Sequence, residues 1–406
     1  MLSSLDPAGP THRVKPRDDN LNERCCSWTR TYRTYFPEYF DSQFYSFIRK
    51  CCQFIAEQLS MHFSIQLSAY YPDKSYGGDR AYRDMLEQAR CADQSGYESV
   101  GITEHHLINI LMMPAPLQFA VKIASQTQNI KIITAVSVLP LHDMRILAGE
   151  LVCADIFTEQ RLMVGVGRGA FGFEMERMGV PLETSREKFD ESLNVLQALL
   201  AEEEVSWDGK YYQFDPLTIM PRPVNEIPFM MAVLVPEAIY HCTKRGFHIQ
   251  TTPLSGDHQH MLDQVNAFNR GKAELGAAGA HQTLSLSRVA FLSHSKADRK
   301  RKIQLAHDYY SRFDNVFTGP GIVESGMIKP LPRNMTVEQT AENLTICTPS
   351  EMIDKLAPYA EAGVDRFIMN VNFGVEQAEI LESIQCFAEE VMPHFATAPA
   401  AQAQAS

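Results

Sequence analysis

Long apolar runs are missing from this chain of 406 residues. None reaches the ~18 consecutive apolar residues of a bilayer-crossing helix, which excludes a membrane span of that kind. Positive charge is short as well: 37 Lys and Arg stand against 49 Asp and Glu, for a net charge of −12. A surface of that sign repels phosphate backbones and anionic headgroups, so neither nucleic acid nor membrane is an expected partner. The nine cysteines lack paired zinc-type spacing. Four form the doublets Cys25-Cys26 and Cys51-Cys52, while Cys91, Cys153, Cys242, Cys347 and Cys386 are scattered. That pattern fits buried thiols in a reducing cytoplasm and speaks against a disulfide framework or a metal site.

A secretory leader is also missing from residues 1–60, which show no charged region followed by an apolar core and a small-residue cleavage site. They show no strand–helix alternation either. They read as an N-terminal extension, disordered or non-native, with Met61 as the functional start; a structured subdomain is the rival reading. Residues 396–406 are Ala- and Gln-rich and read as a flexible tail.

Between these ends, over 61–395, strand and helix patterns alternate eight times. Strand-like runs fall near 62–68, 97–103, 130–138, 161–166, 228–233, 247–251, 286–293 and 366–372. The clearest helix covers 185–203, where Thr184 and Glu187 form a capping-box pattern and Phe189, Leu193, Leu196 and Leu200 repeat at helical spacing. Strands joined by single helices pair in parallel through right-handed crossovers. Eight such units favour a closed (β/α)8 TIM barrel, with a long lid-like insertion near 312–348 between strands seven and eight.

Active sites of such barrels lie at the strand C-termini. Gly101-Ile102-Thr103-Glu104-His105-His106 ends the second strand there. Alternation forbids both histidines from facing one ligand, and the pair lacks the helical spacing of a zinc site. His105 is the candidate acid/base. Gly165-Val166-Gly167-Arg168-Gly169 ends the fourth strand and looks like a phosphate turn, in which glycines open the backbone N–H groups and Arg168 brings a charged fork. The Lys-Ser/Thr ending of a P-loop is missing. Small residues around Thr134, Ala135 and Val136 leave room for a flat ring, though ordinary core is the favoured reading of that strand taken alone; Met112 and Met113 offer an apolar pocket wall that plain packing explains equally.

As an ordered set these segments resemble the bacterial luciferase-like flavin monooxygenase family, from Met61 to about Phe395. The resemblance also uses Val138-Leu139-Pro140-Leu141-His142-Asp143, Trp207-Asp208-Gly209-Lys210-Tyr211-Tyr212, and Pro236-Glu237-Ala238 through Gly246. It implies a TIM barrel that binds reduced FMN from a separate NAD(P)H-dependent flavin reductase, with O2 as co-substrate. A flavin peroxide then oxygenates a small organic molecule. It assigns His105 beside the flavin, Arg168 with Gly167 and Gly169 at the phosphate, and a cis peptide at Ala135-Val136 beneath the ring. Val235 and Pro236 join the cofactor site, and Tyr70, Met112 and Met113 the substrate pocket. Helices near 114–128 and 143–156 match a homodimer-forming pair, and 312–348 a mobile lid. Two departures stand out: Val235 and Ala238 replace hydroxyl residues, and Gly149 replaces an acidic dimer-contact residue, with Glu150 next to it. A deazaflavin-dependent hydride-transfer oxidoreductase is the alternative enzyme, and a non-catalytic flavin-binding partner subunit the alternative outside enzymes.

Overall fold

The computed structural model describes residues 60–254 and 258–395. The expectations for the extension and the tail therefore fall outside the described residues, apart from Ser60. In chain order the elements are β1 (His62–Leu67), α1 (Gly78–Gln94), β2 (Ser99–Ile102), α2 (Pro116–Ala124), β3 (Lys131–Val138), α3 (Met144–Phe157) and β4 (Leu162–Gly167). Then come α4 (Gly172–Arg177), α5 (Leu182–Ala201), a hairpin of β5 (Val205–Asp208) and β6 (Gln213–Leu217), β7 (Phe229–Ala232), α6 (Pro236–Lys244), β8 (His248–Thr251), α7 (His258–Leu275) and β9 (Leu284–Leu292). The chain continues through α8 (Lys296–Phe317), β10 (Val323–Glu324), β11 (Met327–Ile328), α9 (Val337–Asn343), β12 (Thr345–Cys347), α10 (Pro349–Ala362), β13 (Arg366–Asn370) and α11 (Gln377–Glu390).

Eight strands pair in parallel around a ring, β1-β2-β3-β4-β7-β8-β9-β13, and β13 returns to β1. Each strand–helix unit hides an apolar outer strand face under its helix. On β1, Phe63, Ile65 and Leu67 are buried this way, and α11 contributes the regularly spaced Ile380, Ile384 and Phe387. Helix boundaries follow local chemistry. Asp143 caps α3 by accepting from the Arg145 N–H. Thr348 and Glu351 form a capping box on α10, which ends on left-handed Gly363.

The inner barrel face is more polar than the branched aliphatic filling usual for this architecture. Ser64 Oγ donates to the Ser99 carbonyl at 2.8 Å, and Arg366 bridges Ser285 Oγ (2.9 Å) and Glu98 (2.7 Å). Burial pushes the Glu98 carboxyl up, but the Arg366 hydrogen bond and charge outweigh it and bring it to about 2. These groups satisfy the lower barrel interior, leaving the upper layer to the site.

Three details differ from the sequence reading. Helix α5 begins at Leu182 behind an extended Pro181. Thr184 Oγ1 bonds back to the Pro181 carbonyl, and Glu187 binds Lys210 and Tyr211 of the β5–β6 turn, so the expected capping box does not form. The 312–348 segment is not one long loop. Its first residues continue α8, and the rest builds the β10–β11 hairpin, α9 and β12, which pairs with the upper half of β9. Buried Asn315 holds that hairpin through Ile322 and Lys329, and Asn109 Oδ1 accepts the Ile328 N–H at 2.9 Å. Finally, Cys91 and Cys347 are buried as expected for thiols, but Cys153 is exposed on α3. It lies on the side of α3 that turns away from the barrel; the two doublets fall outside the described residues. Among the described residues no helix is long and apolar enough to cross a membrane.

Candidate active site

Strand alternation sends Ser99, Gly101, Thr103 and His105 to the inner side of β2 and its extension, and Glu104 and His106 to the other. The two histidines accordingly engage different carboxylates. His105 Nδ1 lies 2.8 Å from Glu174 Oε2, and the other Glu174 oxygen accepts the His106 backbone N–H at 2.6 Å. The His105 ring stacks on Phe171, with centroids 4.3 Å apart and planes 23° apart. Its backbone is pinned to Met113 by a pair of reciprocal hydrogen bonds. The imidazole is thus fixed in plane and rotation, while its side chain keeps 15% exposure.

Behind it, Glu104 is fully enclosed. Oε2 accepts the Val138 N–H at 2.7 Å, and Oε1 meets His142 Nε2 at 2.8 Å and His106 Nε2 at 3.1 Å. Burial pushes this carboxyl up, but hydrogen bonds from His106, His142 and Val138 overcome it and lower it to about 2. Burial lowers His142, yet the Glu104 bond and charge win and raise it. The cluster ties the ends of β2 and β3 together.

Those ends carry the expected cofactor residues. The Ala135-Val136 peptide is cis, and the pairing of β3 with β4 skips between Thr134 and Ser137. Thr134 Oγ1 donates to the Gly165 carbonyl at 2.9 Å. The turn after β4 needs its glycines: a Cβ on Gly167 would come 2.7 Å from Val136 Cγ2, and Gly169 has φ +85° with Met175 pressed against it. Arg168 projects outward, exposed, with no hydrogen-bond or ion-pair partner among the described residues. After the neighbouring strand β7, Val235 is the exposed N-cap of α6 and Pro236 its first residue. No side chain caps this helix, so the N–H groups of Glu237 and Ala238 stay open at the same barrel end as Arg168.

The substrate-pocket candidates separate. Tyr70 is buried edge-on against Tyr309 at 5.1 Å, and burial raises its phenol. Met112 packs near Gly78, and its sulfur accepts from Tyr71. Met113 is buried and bridged by its backbone to His105. A continuous aromatic wall, missed from sequence, runs from Phe171 through Phe317, Phe313 and Tyr309 to Tyr70. Its residues 309, 313 and 317 recur every four positions on α8, a stripe whose last two members lie within the 312–348 insertion. Glu174 was missed too, because nothing in its spacing announces a partner 69 residues back.

An anionic group with a flat ring fits these residues. Arg168 and the α6 N–H groups are free for the anion. Gly165 and Gly167 let β4 close on β3, since a Cβ there would come 1.9 Å from the Thr134 carbonyl oxygen and 2.7 Å from Val136 Cγ2. Gln66 Nε2 and Ser68 Oγ, on the side of β1 shared with Ser64, are buried without a partner.

The family model described as luciferase-like monooxygenase matches residues 61–366. The oxygenase component of flavin-dependent trigonelline monooxygenase from Acinetobacter baylyi is 26% identical over 330 residues, covering 77% of this chain and 90% of that protein. An F420-dependent glucose-6-phosphate dehydrogenase from Beutenbergia cavernae is 24% identical, covering 77% and 93%. Among solved structures, the oxygenating constituent of 3,6-diketocamphane monooxygenase from Pseudomonas putida, in complex with FMN, aligns with a TM-score of 0.67 at 16% identity, covering 82% and 98%. That last likeness is one of fold. With the ring of eight parallel strands and the family match over most of its length, the chain belongs to the luciferase-like monooxygenase family.

Proposed function

We propose that this protein is the oxygenase of a two-component system, using reduced FMN delivered by a flavin reductase to insert one atom of O2 into a small ring-bearing molecule. The observation that carries the reading is the fixed His105 at the inner end of β2, at the same barrel end as Arg168 after β4, which has no partner among the described residues. Reduced flavin supplies the two electrons that, with O2 and substrate, leave oxidised flavin, oxygenated product and water. The chain's own residues do the rest. Arg168 and the α6 N–H groups hold the phosphate. Ala135, Val136, Gly165 and Gly167 seat the ring. His105 offers a proton-handling nitrogen, and the aromatic wall with Tyr70 and the apolar Met112–Met113 segment excludes water on the substrate side. The β10–β11 hairpin, fastened to Asn109, serves as the lid.

The test is anaerobic titration with reduced FMN, followed by oxygen, with trigonelline as the first substrate probe in a panel of ring compounds. Tight binding and oxygen uptake with product support the reading. Arg168→Ala is expected to weaken reduced FMN by about 10- to 100-fold, the loss of one or two charge-assisted hydrogen bonds. An unchanged dissociation constant would take the phosphate away from Arg168.

Several relatives named as F420-dependent enzymes support a second reading, hydride transfer with the deazaflavin F420, and the hydroxyl-free Val235 and Ala238 are compatible with it. Reduction or oxidation of an F420 probe without oxygen uptake would select it.

Helices α2 and α3 supply the proposed homodimer face. Ile146 (63% exposed) and Phe157 (66%) stand out on α3, beside a cleft of about 450 Å³ bordered by Leu117, Val121 and Glu150. Phe157→Asp should turn a dimer into a monomer in sedimentation; a wild-type monomer would remove this face from the proposal.

A further inference from the structure

We propose that Glu174 is the positioning residue of this site: its carboxylate keeps the His105 proton on Nδ1 and so leaves Nε2 as a hydrogen-bond acceptor. The inference rests on the reading of His105 as the group beside the flavin, but its first test does not.

The argument starts from the number of donors. An ionised carboxylate only accepts hydrogen bonds. Glu174 Oε1 is taken by the His106 backbone N–H at 2.6 Å, a donor that cannot switch roles. Oε2 lies 2.8 Å from His105 Nδ1, so the proton of that bond belongs to the imidazole. A neutral imidazole protonated on Nδ1 has its lone pair on Nε2. His105 Nε2 has no hydrogen-bond partner among the described residues. Phe171 stacked on the ring blocks the flip that would put Cδ2 in the place where Nδ1 meets Glu174. Glu174 itself cannot swing away: it is 6% exposed, sits in the first turn of α4, and its own N–H is bonded to the Phe171 carbonyl. One side chain therefore fixes both the strand end and the tautomer. The residue that stacks on the imidazole and the one that hydrogen-bonds it come from the same short turn after the glycines of β4. Binding at Arg168 and proton handling at His105 are thus held by one segment, 167–174.

Glu174→Gln separates positioning from packing. The His106 N–H demands an acceptor, so the amide oxygen must take that place and the amide nitrogen must face His105. An NH2 group donates, and His105 must then accept on Nδ1 and carry its proton on Nε2. Shape is kept and polarity is reversed.

The experiment is nitrogen NMR of the resting protein labelled at its histidines, with His105 located by its loss in a His105→Gln sample. Wild type is expected to show a protonated Nδ1 and a bare Nε2, and Glu174→Gln the reverse. In turnover with the reductase, reduced FMN affinity should stay within about threefold, while product per NADH falls about tenfold or more, as for other sites forced into the wrong tautomer. Glu174→Asp, still an acceptor, should keep the wild-type tautomer and recover part of the coupling. A wild-type proton on Nε2 would overturn the proposal, as would a Gln variant with unaltered tautomer. If the tautomer reverses yet coupling holds, Glu174 still sets the ring and it is the catalytic role of His105 that fails. Should the Gln variant not fold, the wild-type and Asp spectra still decide the tautomer.

Discussion

Replacing His105 with alanine is expected to leave reduced FMN bound with nearly the wild-type affinity while product formation drops about 10²- to 10⁴-fold, the range for removing a positioned acid/base. NADH oxidation should continue, with hydrogen peroxide as the balance of the oxygen consumed. The split follows from geometry. His105 stands on β2, held by Glu174 and Phe171, whereas the proposed phosphate contacts come from Arg168 after β4 and the start of α6 after β7. The imidazole touches Glu174 and Phe171 and not Arg168 itself, so deleting it leaves the anion contacts in place. The measurement is the ratio of peroxide to NADH consumed, alongside fluorescence titration of the flavin. Equal coupling in wild type and variant would remove His105 from the reaction. A parallel collapse of flavin affinity would mean that the ring supports the flavin instead of serving the proton.

The barrel was legible because its strands are short apolar runs separated by single helices, a pattern with few packing solutions. His105 and the turn around Arg168 were legible because local texture marks them: a buried strand that stops at imidazoles, and glycines where a backbone must approach closely. What stayed hidden depends on long-range partners. Glu104 reads as one more charged residue in the motif, yet it is enclosed by the Val138 N–H, His106 and His142. Glu174 lies outside every motif. The capping box at Thr184 failed for the opposite reason: a local pattern was present, but Glu187 found stronger donors in Lys210 and Tyr211 across the fold. The three-residue β12 is too short for periodicity to mark, and only its pairing with β9 makes it a strand.

The Glu104 cluster carries the largest expected effect on stability. Its carboxyl is held at about 2, below the ordinary 4.5. At about 1.4 kcal/mol per pKa unit this corresponds to about 3 kcal/mol of stability in the ionised state. Because the folded value is the depressed one, that contribution is complete above the unfolded value of 4.5 and disappears as pH falls from there toward 2. His142 has the opposite sign. Its folded value is raised, so what it adds is present below its unfolded 6.5 and is lost as pH rises through the folded value. The pair is therefore most effective between about pH 5 and 6. Glu104→Ala also strands the buried Val138 N–H, a further cost of about 1–3 kcal/mol. Its melting temperature should fall by roughly 5–10 °C near pH 6. The gap to wild type should narrow below pH 4.5, where the wild-type carboxylate begins to lose its advantage, and narrow again as pH rises past 6.5 and His142 discharges. Thermal unfolding of both proteins across pH 3 to 8 measures it. A gap of constant size across that range would show that Glu104 acts as buried volume, with its charge contributing nothing to the joint between β2 and β3.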